Sequence, residues 1–308
     1  MARMLPVSFL QNFLFFKADD LSEPTGAIPF KLDAATPNEP TEFSLKFYVG
    51  KTKYWYELKL SSHNVISEKL YYYDSPQPKK LFDRKLKNGQ SIITFNPATV
   101  KISAAAKEEI SLKCLPNMSF FAARNQVNIA IEKVDVAKEW LRKNLMPLIK
   151  PTTGMFDYAS SKMYNNAALK SFLLDFVHQA DFNISDVKSD KVLENLPQQF
   201  VIMILADDGT PDELKELIKS EHTVTRIQTL FEHTVKNERG VEKYLMSTDS
   251  QSEGTIRTIG IEAAVYEAME TESFLFIDEI EASLHPDLVE FILQKFLSKK
   301  CRAQMLVT

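Results

Sequence analysis

Residues 274 to 286, FLFIDEIEASLHP, constrain the fold more than any other stretch, because an apolar run of strand length ends there in two consecutive carboxylates. Around it the sequence alternates helix, strand, helix and strand, over Gly254 to Met269, Phe274 to Ile277, Pro286 to Leu297 and Gln304 to Val307. Such alternation predicts a parallel sheet flanked by helices, and hence an α/β fold.

The two carboxylates, Asp278 and Glu279, directly follow the predicted strand. In an open parallel sheet the ligand lies beyond the carboxyl ends of the strands, so both side chains would emerge where a nucleotide binds. Asp278 is suited to hold Mg²⁺, usually through water, and Glu279 to polarise the water that attacks the γ-phosphate. The alternative is an ordinary strand end followed by a solvated turn.

The next residues, Ser283 to Pro286, put a proline at a predicted helix start. We expect this loop to cross a dimer interface before the helix begins. His285 lies within it, and a lone histidine is more often structural than catalytic.

A second motif, SQSEGTIRTIGIEAA, places Ser252, Gly254 and Thr255 before a long helix with apolar periodicity. The glycine lets the backbone approach a ligand, the free amides and the helix dipole favour negative charge, and the hydroxyls add donors. This pattern favours an anion site. The alternative is that Ser252 or Thr255 only caps the helix, which is the commoner role.

Segments rich in aromatic and β-branched residues follow one another from Glu42 to Tyr73, and SIITF follows the Asn88-Gly89 turn. They predict an antiparallel meander. Residues 50 to 52 read Gly-Lys-Thr, but they join two of these strands, and Leu45 stands where a P-loop has its first glycine. We therefore interpret them as a hairpin turn. Aromatics here could stack nucleic-acid bases, although aromatics in strands are usually core or cross-strand pairs.

The stretch from Ser8 to Phe16 is typical of the end of a buried helix, because polar and Pro/Gly breakers follow it. Helical periodicity dominates from about Val134 to Ile218, in VDVAKEWLRKNLMPLI, NNAALKSFLLDFVHQA and PDELKELIKS. These segments predict an inserted helical lobe. The following HTVTRIQTLFEHTV alternates like a strand, and Asn237 to Gly240 predicts a hairpin turn into VEKYLMS. We divide the chain into residues 1–133, 134–220 and 221–308.

The formal net charge of −4 argues against a strongly basic nucleic-acid coat. Five cations form one local basic cluster, which consists of Lys79, Lys80, Arg84, Lys85 and Lys87. We interpret this cluster as a solvated loop.

The two cysteines, Cys114 and Cys301, lack the spacing of a zinc site or a disulfide framework, so a reducing cytoplasm fits best. No apolar run approaches the roughly 20 residues that span a bilayer, and we expect no membrane role.

The order of the motifs resembles that of AAA-family ATP-binding proteins of the ABC/SMC-like kind. This order is SEGT-x-R, a helix, an apolar strand with DEIEASLHP, and a strand that ends in LVT. The family includes repair and phage-defence ATPases related to the overcoming-lysogenization-defect nucleases. The resemblance is loose from Glu42 onward and specific from Ser252 to Thr308. It implies an ABC-type ATPase core, made of the β-meander and the parallel sheet with the helical lobe inserted, that uses ATP and Mg²⁺.

By this resemblance, Ser252, Gly254 and Thr255 match the ABC-like signature, which contacts the γ-phosphate held by the opposite subunit of a dimer. Arg257 lies one helical step inside the signature helix. It could contact phosphate, and a surface ion pair is the alternative.

The resemblance also gives expectations for the second motif and for partners. Asp278 and Glu279 match Walker B and its catalytic glutamate, and Ser283 to His285 match the D-loop region that lines the dimer interface. The implied partners are a second copy of the chain, joined through a nucleotide-sandwich interface, and an effector such as a nuclease. Nucleic acid is a possible further ligand.

The chain departs from the family pattern at the P-loop, which needs Gly-x-x-x-x-Gly-Lys-Ser/Thr between a strand and a helix. The 308 residues contain no such motif. We expect that the P-loop segment belongs before Ser8, and that the switch histidine belongs after QMLVT. We also expect this polypeptide alone to bind ATP poorly, because P-loop amides and lysine supply most fixed phosphate contacts.

Three functions stay open at this point. The first is a dimerising ATPase, and the second is a non-enzymatic remnant or interaction subunit that retains the signature half of the fold. The third is a metal-dependent nuclease that uses Asp278, Glu279 and Glu281, although adjacent carboxylates rarely complete a two-metal site.

Overall fold

The computed structural model describes residues 5–180, 182–207, 209–221 and 223–308. The strands are β1 (Thr41–Val49), β2 (Thr52–Leu60), β3 (Val65–Tyr73), β4 (Lys79–Lys87), β5 (Gln90–Phe95), β6 (Leu145–Ile149), β7 (Asp186–Asn195), β8 (Thr223–Asn237), β9 (Gly240–Ser247), β10 (Phe274–Ile277) and β11 (Gln304–Val307). The helices are α1 (Leu5–Phe13), α2 (Ala104–Lys113), α3 (Phe120–Arg124), α4 (Glu132–Lys143), α5 (Phe156–Asn165), α6 (Ala167–Gln179), α7 (Gln198–Ala206), α8 (Asp212–Glu221), α9 (Glu253–Thr271) and α10 (Pro286–Ser298).

The first sheet is the predicted antiparallel meander, in which β1 to β5 each pair with the next strand. Its inner face packs against helices in a core that includes Phe47, Tyr56 and Trp140. Gly50 has a φ of 57° between β1 and β2, in the left-handed region that suits glycine. The interpretation of Gly-Lys-Thr as a hairpin turn is therefore confirmed.

The basic cluster forms strand β4, so its interpretation as a solvated loop was wrong. Arg84 within it is fully buried and donates to Glu68 Oε2 at 2.9 Å. It also donates to the carbonyls of Met118 at 2.6 Å and Leu115 at 2.8 Å. A buried cation needs such partners. The sequence does not indicate them, because the carboxylate that pairs with Arg84 belongs to Glu68 on another strand, β3.

The parallel sheet has the strand order β11-β10-β6, which confirms the predicted architecture at the end of the chain. β6 pairs with β10 through Leu148 opposite Phe276 and Ile149 opposite Ile277. We predicted one helix over the segment VDVAKEWLRKNLMPLI, and that prediction was wrong in its second part, which forms β6. α4 ends at Lys143, Asn144 caps it, and the short apolar run that follows becomes a strand because a sheet partner is present.

Helices flank this sheet and complete the α/β architecture, which is consistent with an ABC-type ATPase core. α5, α6 and α9 contact one another, and α9 also packs on β10. A Cβ at Gly260 of α9 would lie 2.5 Å from the Cβ of Met155, so the helix approaches the chain before α5 closely. A second core, which includes Phe176, Leu275 and Ile292, fills the space between helices and sheet.

The third sheet is antiparallel, with the order β7-β8-β9. β8 and the hairpin turn at Asn237 to Gly240 lie where the sequence predicts them, although His222 of the predicted strand is outside the described residues. β7 occupies part of the predicted helical lobe, which is therefore not all helical. The boundaries at residues 134 and 221 stay predictions. Within the described ranges, no helix combines the length and apolar character that crossing a bilayer requires.

Candidate nucleotide site

The two consecutive carboxylates leave the sheet at the carboxyl end of β10. The Asp278 amide donates to Ile149 O at 2.8 Å, which continues the pairing with β6 for one residue past the strand. Asp278 is half-buried, whereas Glu279 is exposed. The carboxylates thus lie at the carboxyl end of the parallel strands, where a ligand binds in folds of this class.

Thr308, at the end of the neighbouring strand, holds both acidic residues. Its hydroxyl donates to Asp278 Oδ1 at 2.7 Å and accepts from the Glu279 amide at 3.1 Å. Sequence reasoning missed this residue, although a hydroxyl directly after a strand predicted to neighbour β10 was a usable signal. Thr308 fixes one oxygen of Asp278, whereas the other, Oδ2, has no hydrogen-bond partner among the described residues.

The loop after β10 contains two residues with left-handed backbone conformations. Glu279 has a φ of 49° and Ser283 a φ of 63°. Such conformations cost roughly 1 kcal/mol or more for residues other than glycine, and they cluster at functional sites. The loop is held by the Ala282 amide, which donates to Glu279 O at 2.9 Å, and by the buried side chain of Leu284.

The start of α9 is capped by Ser252. Its hydroxyl accepts from the Thr255 amide at 3.0 Å and lies 2.8 Å from the Thr255 hydroxyl. The capping role that the sequence left open is therefore present, and the buried Thr255 is engaged locally. The amides of Glu253 and Gly254 also lie in the first helical turn, where no intrahelical acceptor exists.

Gly254 brings the two motifs together. A Cβ at this position would lie 2.8 Å from the carbonyl oxygen of Ser283, closer than real Cβ contacts come. Glycine is required here because of the close approach between α9 and the loop after β10, residues 278–285, which we call the acidic loop. Two motifs that are separate in the sequence thus form one surface.

Arg257 joins the same surface from the side of α9. Its guanidinium donates to Pro151 O at 3.1 Å, to Lys150 O at 3.4 Å and to Glu279 O at 3.4 Å. Burial lowers the pKa of Arg257, and the carboxylate of Glu281 opposes this effect. The side chain therefore contacts the loops after β6 and β10 through backbone carbonyls. From the sequence we considered a phosphate contact and a surface ion pair for Arg257, but not this arrangement.

His285 lies at the far end of the acidic loop and caps α10. Its Nδ1 accepts from the Asp287 amide at 3.3 Å, and its side chain is exposed. Ser283 is also exposed. Both residues are accessible to a partner, and the contact of His285 fits a structural role.

Residues 157–308 match the family model described as AAA domain, putative AbiEii toxin, Type IV TA system. The match supports an AAA-type ATPase. It covers the start of α9, the acidic loop and Thr308, and it begins after the Lys150-Pro151 loop that Arg257 contacts. No curated protein matches the chain significantly.

The donor set at the sheet edge fits Mg²⁺ bound together with a nucleotide. Mg²⁺ in phosphate sites is commonly held by one or two carboxylates, several waters and the phosphates. Asp278 offers one free carboxylate oxygen, and Glu279 is next to it. Among the described residues, no group of three or more His, Cys, Asp and Glu side chains could hold a metal ion without such help.

Proposed function

We propose that this chain forms part of the nucleotide-binding and hydrolysing core of a dimeric AAA-type ATPase of the ABC/SMC-like kind. The close approach of Gly254 to the Ser283 carbonyl carries the proposal. This contact puts a helix start, which favours anions, and a pair of carboxylates, which favours Mg²⁺, on one surface at the edge of a parallel sheet.

In the proposed reaction, Asp278 holds Mg²⁺ and Glu279 orients the water that attacks the γ-phosphate. When bound, Mg²⁺ neutralises charge on the phosphates. Thr308 and Arg257 hold the acidic loop in place. The start of α9, with Ser252, contacts a nucleotide carried mainly by the second subunit.

The dimer interface in this proposal runs over the exposed acidic loop, which includes Ser283 and His285. Closure of the dimer on ATP and its reopening after hydrolysis would move an attached effector in DNA repair or phage defence. The proposed site requires a P-loop, which these 308 residues do not contain.

A second candidate function is an interaction subunit that retains the fold without hydrolysis. This function applies if no P-loop accompanies the chain in the whole protein, because carboxylates and a helix start cannot replace the fixed phosphate contacts of P-loop amides and lysine. The two functions differ in whether bound ATP is turned over.

Substitution of Glu279 by Gln separates them, with ATP binding and phosphate release measured on the same samples of a protein that carries a P-loop segment before this chain. We expect Glu279→Gln to keep ATP binding and to lower turnover by about 100-fold or more, as for loss of a general base. Glu270→Gln is the matched control, because Glu270 is exposed near the far end of α9. Equal turnover in both variants would refute the role of Glu279, and ATP binding without turnover in the wild type would favour the interaction subunit.

A further inference from the structure

The outer face of the five-stranded meander carries side chains whose arrangement is independent of the nucleotide site. Cross-strand pairing aligns them in rows. One row is Lys46, Trp55, Tyr71 and Lys80, on β1, β2, β3 and β4. The next row towards the β1–β2 turn is Tyr48, Lys53 and Tyr73. We call these seven residues the aromatic patch.

The rings in the aromatic patch contact one another and the lysines beside them. Trp55 and Tyr71 are stacked with 5.0 Å between ring centroids. Lys46 Nζ lies 5.0 Å from the Trp55 ring centroid, and Lys53 Nζ lies 5.0 Å from that of Tyr73. Lys80 Nζ lies 5.8 Å from the Tyr71 ring centroid, so Trp55, Tyr71 and Tyr73 each have a cation within reach. A ligand that combines stacking bases with negative charge needs both kinds of group.

Charge is distributed unevenly over this face. Towards the other end of the strands, Lys59 pairs with Glu42 at 2.6 Å, and Lys69 lies 3.8 Å from Glu57. In the part of the chain that the structure describes, neither Lys46 nor Lys53 has a carboxylate within the 4.0 Å of a salt bridge. The unneutralised cations thus coincide with the aromatic rings.

The patch is also accessible. Tyr48 is 49% exposed although it is a large aromatic residue. Lys46 is exposed, and Trp55 and Tyr71 are half-buried. Core aromatics of the same strands, such as Phe47 and Tyr54, face the opposite side of the sheet and are buried.

We propose that the aromatic patch binds single-stranded nucleic acid, with bases stacked on the rings and phosphates paired with Lys46 and Lys53. A single strand fits better than a duplex because its bases are free to stack on side chains. The net charge of −4 does not oppose this proposal, because the relevant field is local. Two carboxylates act on Tyr71, and each lies beside a lysine: Glu57 is 3.8 Å from Lys69, and Asp83 is paired with Lys80 at 2.6 Å.

The patch is separate from the proposed ATP site. Arg302, which precedes β11, donates to Gly50 O in the β1–β2 turn next to the patch. The acidic loop instead meets Thr308, at the other end of β11. Binding of nucleic acid can therefore be measured without nucleotide, and its outcome does not depend on ATP hydrolysis.

The test measures fluorescence anisotropy of labelled oligothymidylate and oligouridylate with the whole protein. We expect saturable binding of at least one of them, and a DNA duplex of equal length should bind more weakly. Trp55→Thr should weaken binding about fivefold or more, the loss expected for one base stack. Tyr71→Phe keeps the ring and should bind like the wild type, whereas Tyr71→Thr should not.

The lysines are tested through the salt dependence of binding. Lys46→Gln and Lys53→Gln should each lower the slope of log K against log salt by about 0.7, because each removes one phosphate contact to a single strand. Lys59→Gln is the matched control on the same face, because its charge is already paired. The proposal is overturned if neither oligonucleotide binds, if polyglutamate binds as tightly as they do, or if Lys59→Gln and Lys46→Gln lose equal affinity while circular dichroism shows all variants folded.

Discussion

At Gly254 the approach of α9 to the acidic loop leaves no room for a side chain. We expect Gly254→Ala to destabilise the fold by about 1–3 kcal/mol, as for overpacking, because the new Cβ would meet the Ser283 carbonyl. Urea denaturation measures this. Gly154→Ala is the matched control, because a Cβ there meets nothing within 4 Å and the backbone is not left-handed. Equal effects in the two variants would mean that the close contact is not formed.

Glu262, inside α9, is a second residue whose surroundings make a measurable prediction. It is fully buried, and among the described residues neither carboxylate oxygen has a hydrogen-bond partner. Burial raises the pKa of Glu262 to about 8, and Lys295 on α10 opposes this effect. The folded state therefore holds a proton on Glu262 that the unfolded state, with a pKa near 4.5, releases at neutral pH.

The pH dependence of stability follows from that difference. Between pH 4.5 and about 8 the folded state binds more protons at this site, so its contribution to stability falls as the pH rises through this window. The slope is at most about 1.4 kcal/mol for each pH unit. Glu262→Gln should flatten the free energy of unfolding between pH 5.5 and 7.5, because the amide does not titrate. An unchanged slope would show that Glu262 is ionised in the folded protein.

Among the elements, the buried pair of Arg84 and Glu68 connects β3 and β4 to the start of α3 and to the residues just before it. Glu68 Oε2 accepts from the Phe120 amide at 2.7 Å as well as from Arg84. We expect Arg84→Met to cost about 3–5 kcal/mol, because it leaves a buried carboxylate without its counter-ion. Lys59→Gln, which removes an exposed pair, should cost less than about 1 kcal/mol. Thermal and urea unfolding would contradict this if both variants lost the same stability.

Sequence patterns predicted those elements whose periodicity is local. β1, β2, β3 and β10 alternate or run apolar between turn residues, and α9 and α10 carry caps and a helical repeat. β6 and β4 were missed because their neighbours decide their structure. Leu145 to Ile149 is too short to show a period, and Arg84 is buried only because Glu68 meets it from another strand.

The candidate site shows the same division. The positions of Asp278, Glu279 and the start of α9 follow from an α/β pattern and from the rule that ligands lie at the carboxyl ends of strands. The hydrogen bonds of Thr308 and the carbonyl contacts of Arg257 join segments far apart in the chain, so no local pattern indicates them.

For the molecule as a whole, we expect nucleotide binding and dimerisation to be coupled. Each subunit presents an exposed acidic loop, and one nucleotide would contact both subunits, so ATP should favour the dimer. In Glu279→Gln, where bound ATP persists, sedimentation should show a rise from the 35.2 kDa monomer towards twice that mass when Mg²⁺ and ATP are added. ADP should not produce this change. A protein that binds ATP and stays monomeric would contradict the dimer.

The most direct measurement is hydrogen–deuterium exchange of the Glu279→Gln protein with and without millimolar Mg²⁺ and ATP. High nucleotide concentration offsets weak binding, so the experiment does not depend on tight phosphate contacts. We predict protection in two peptides together, residues 251–258 and 278–285, with the outer face of the meander unchanged. Protection in only one of these peptides, or elsewhere in the chain, would contradict the claim that the start of α9 and the acidic loop face the same nucleotide.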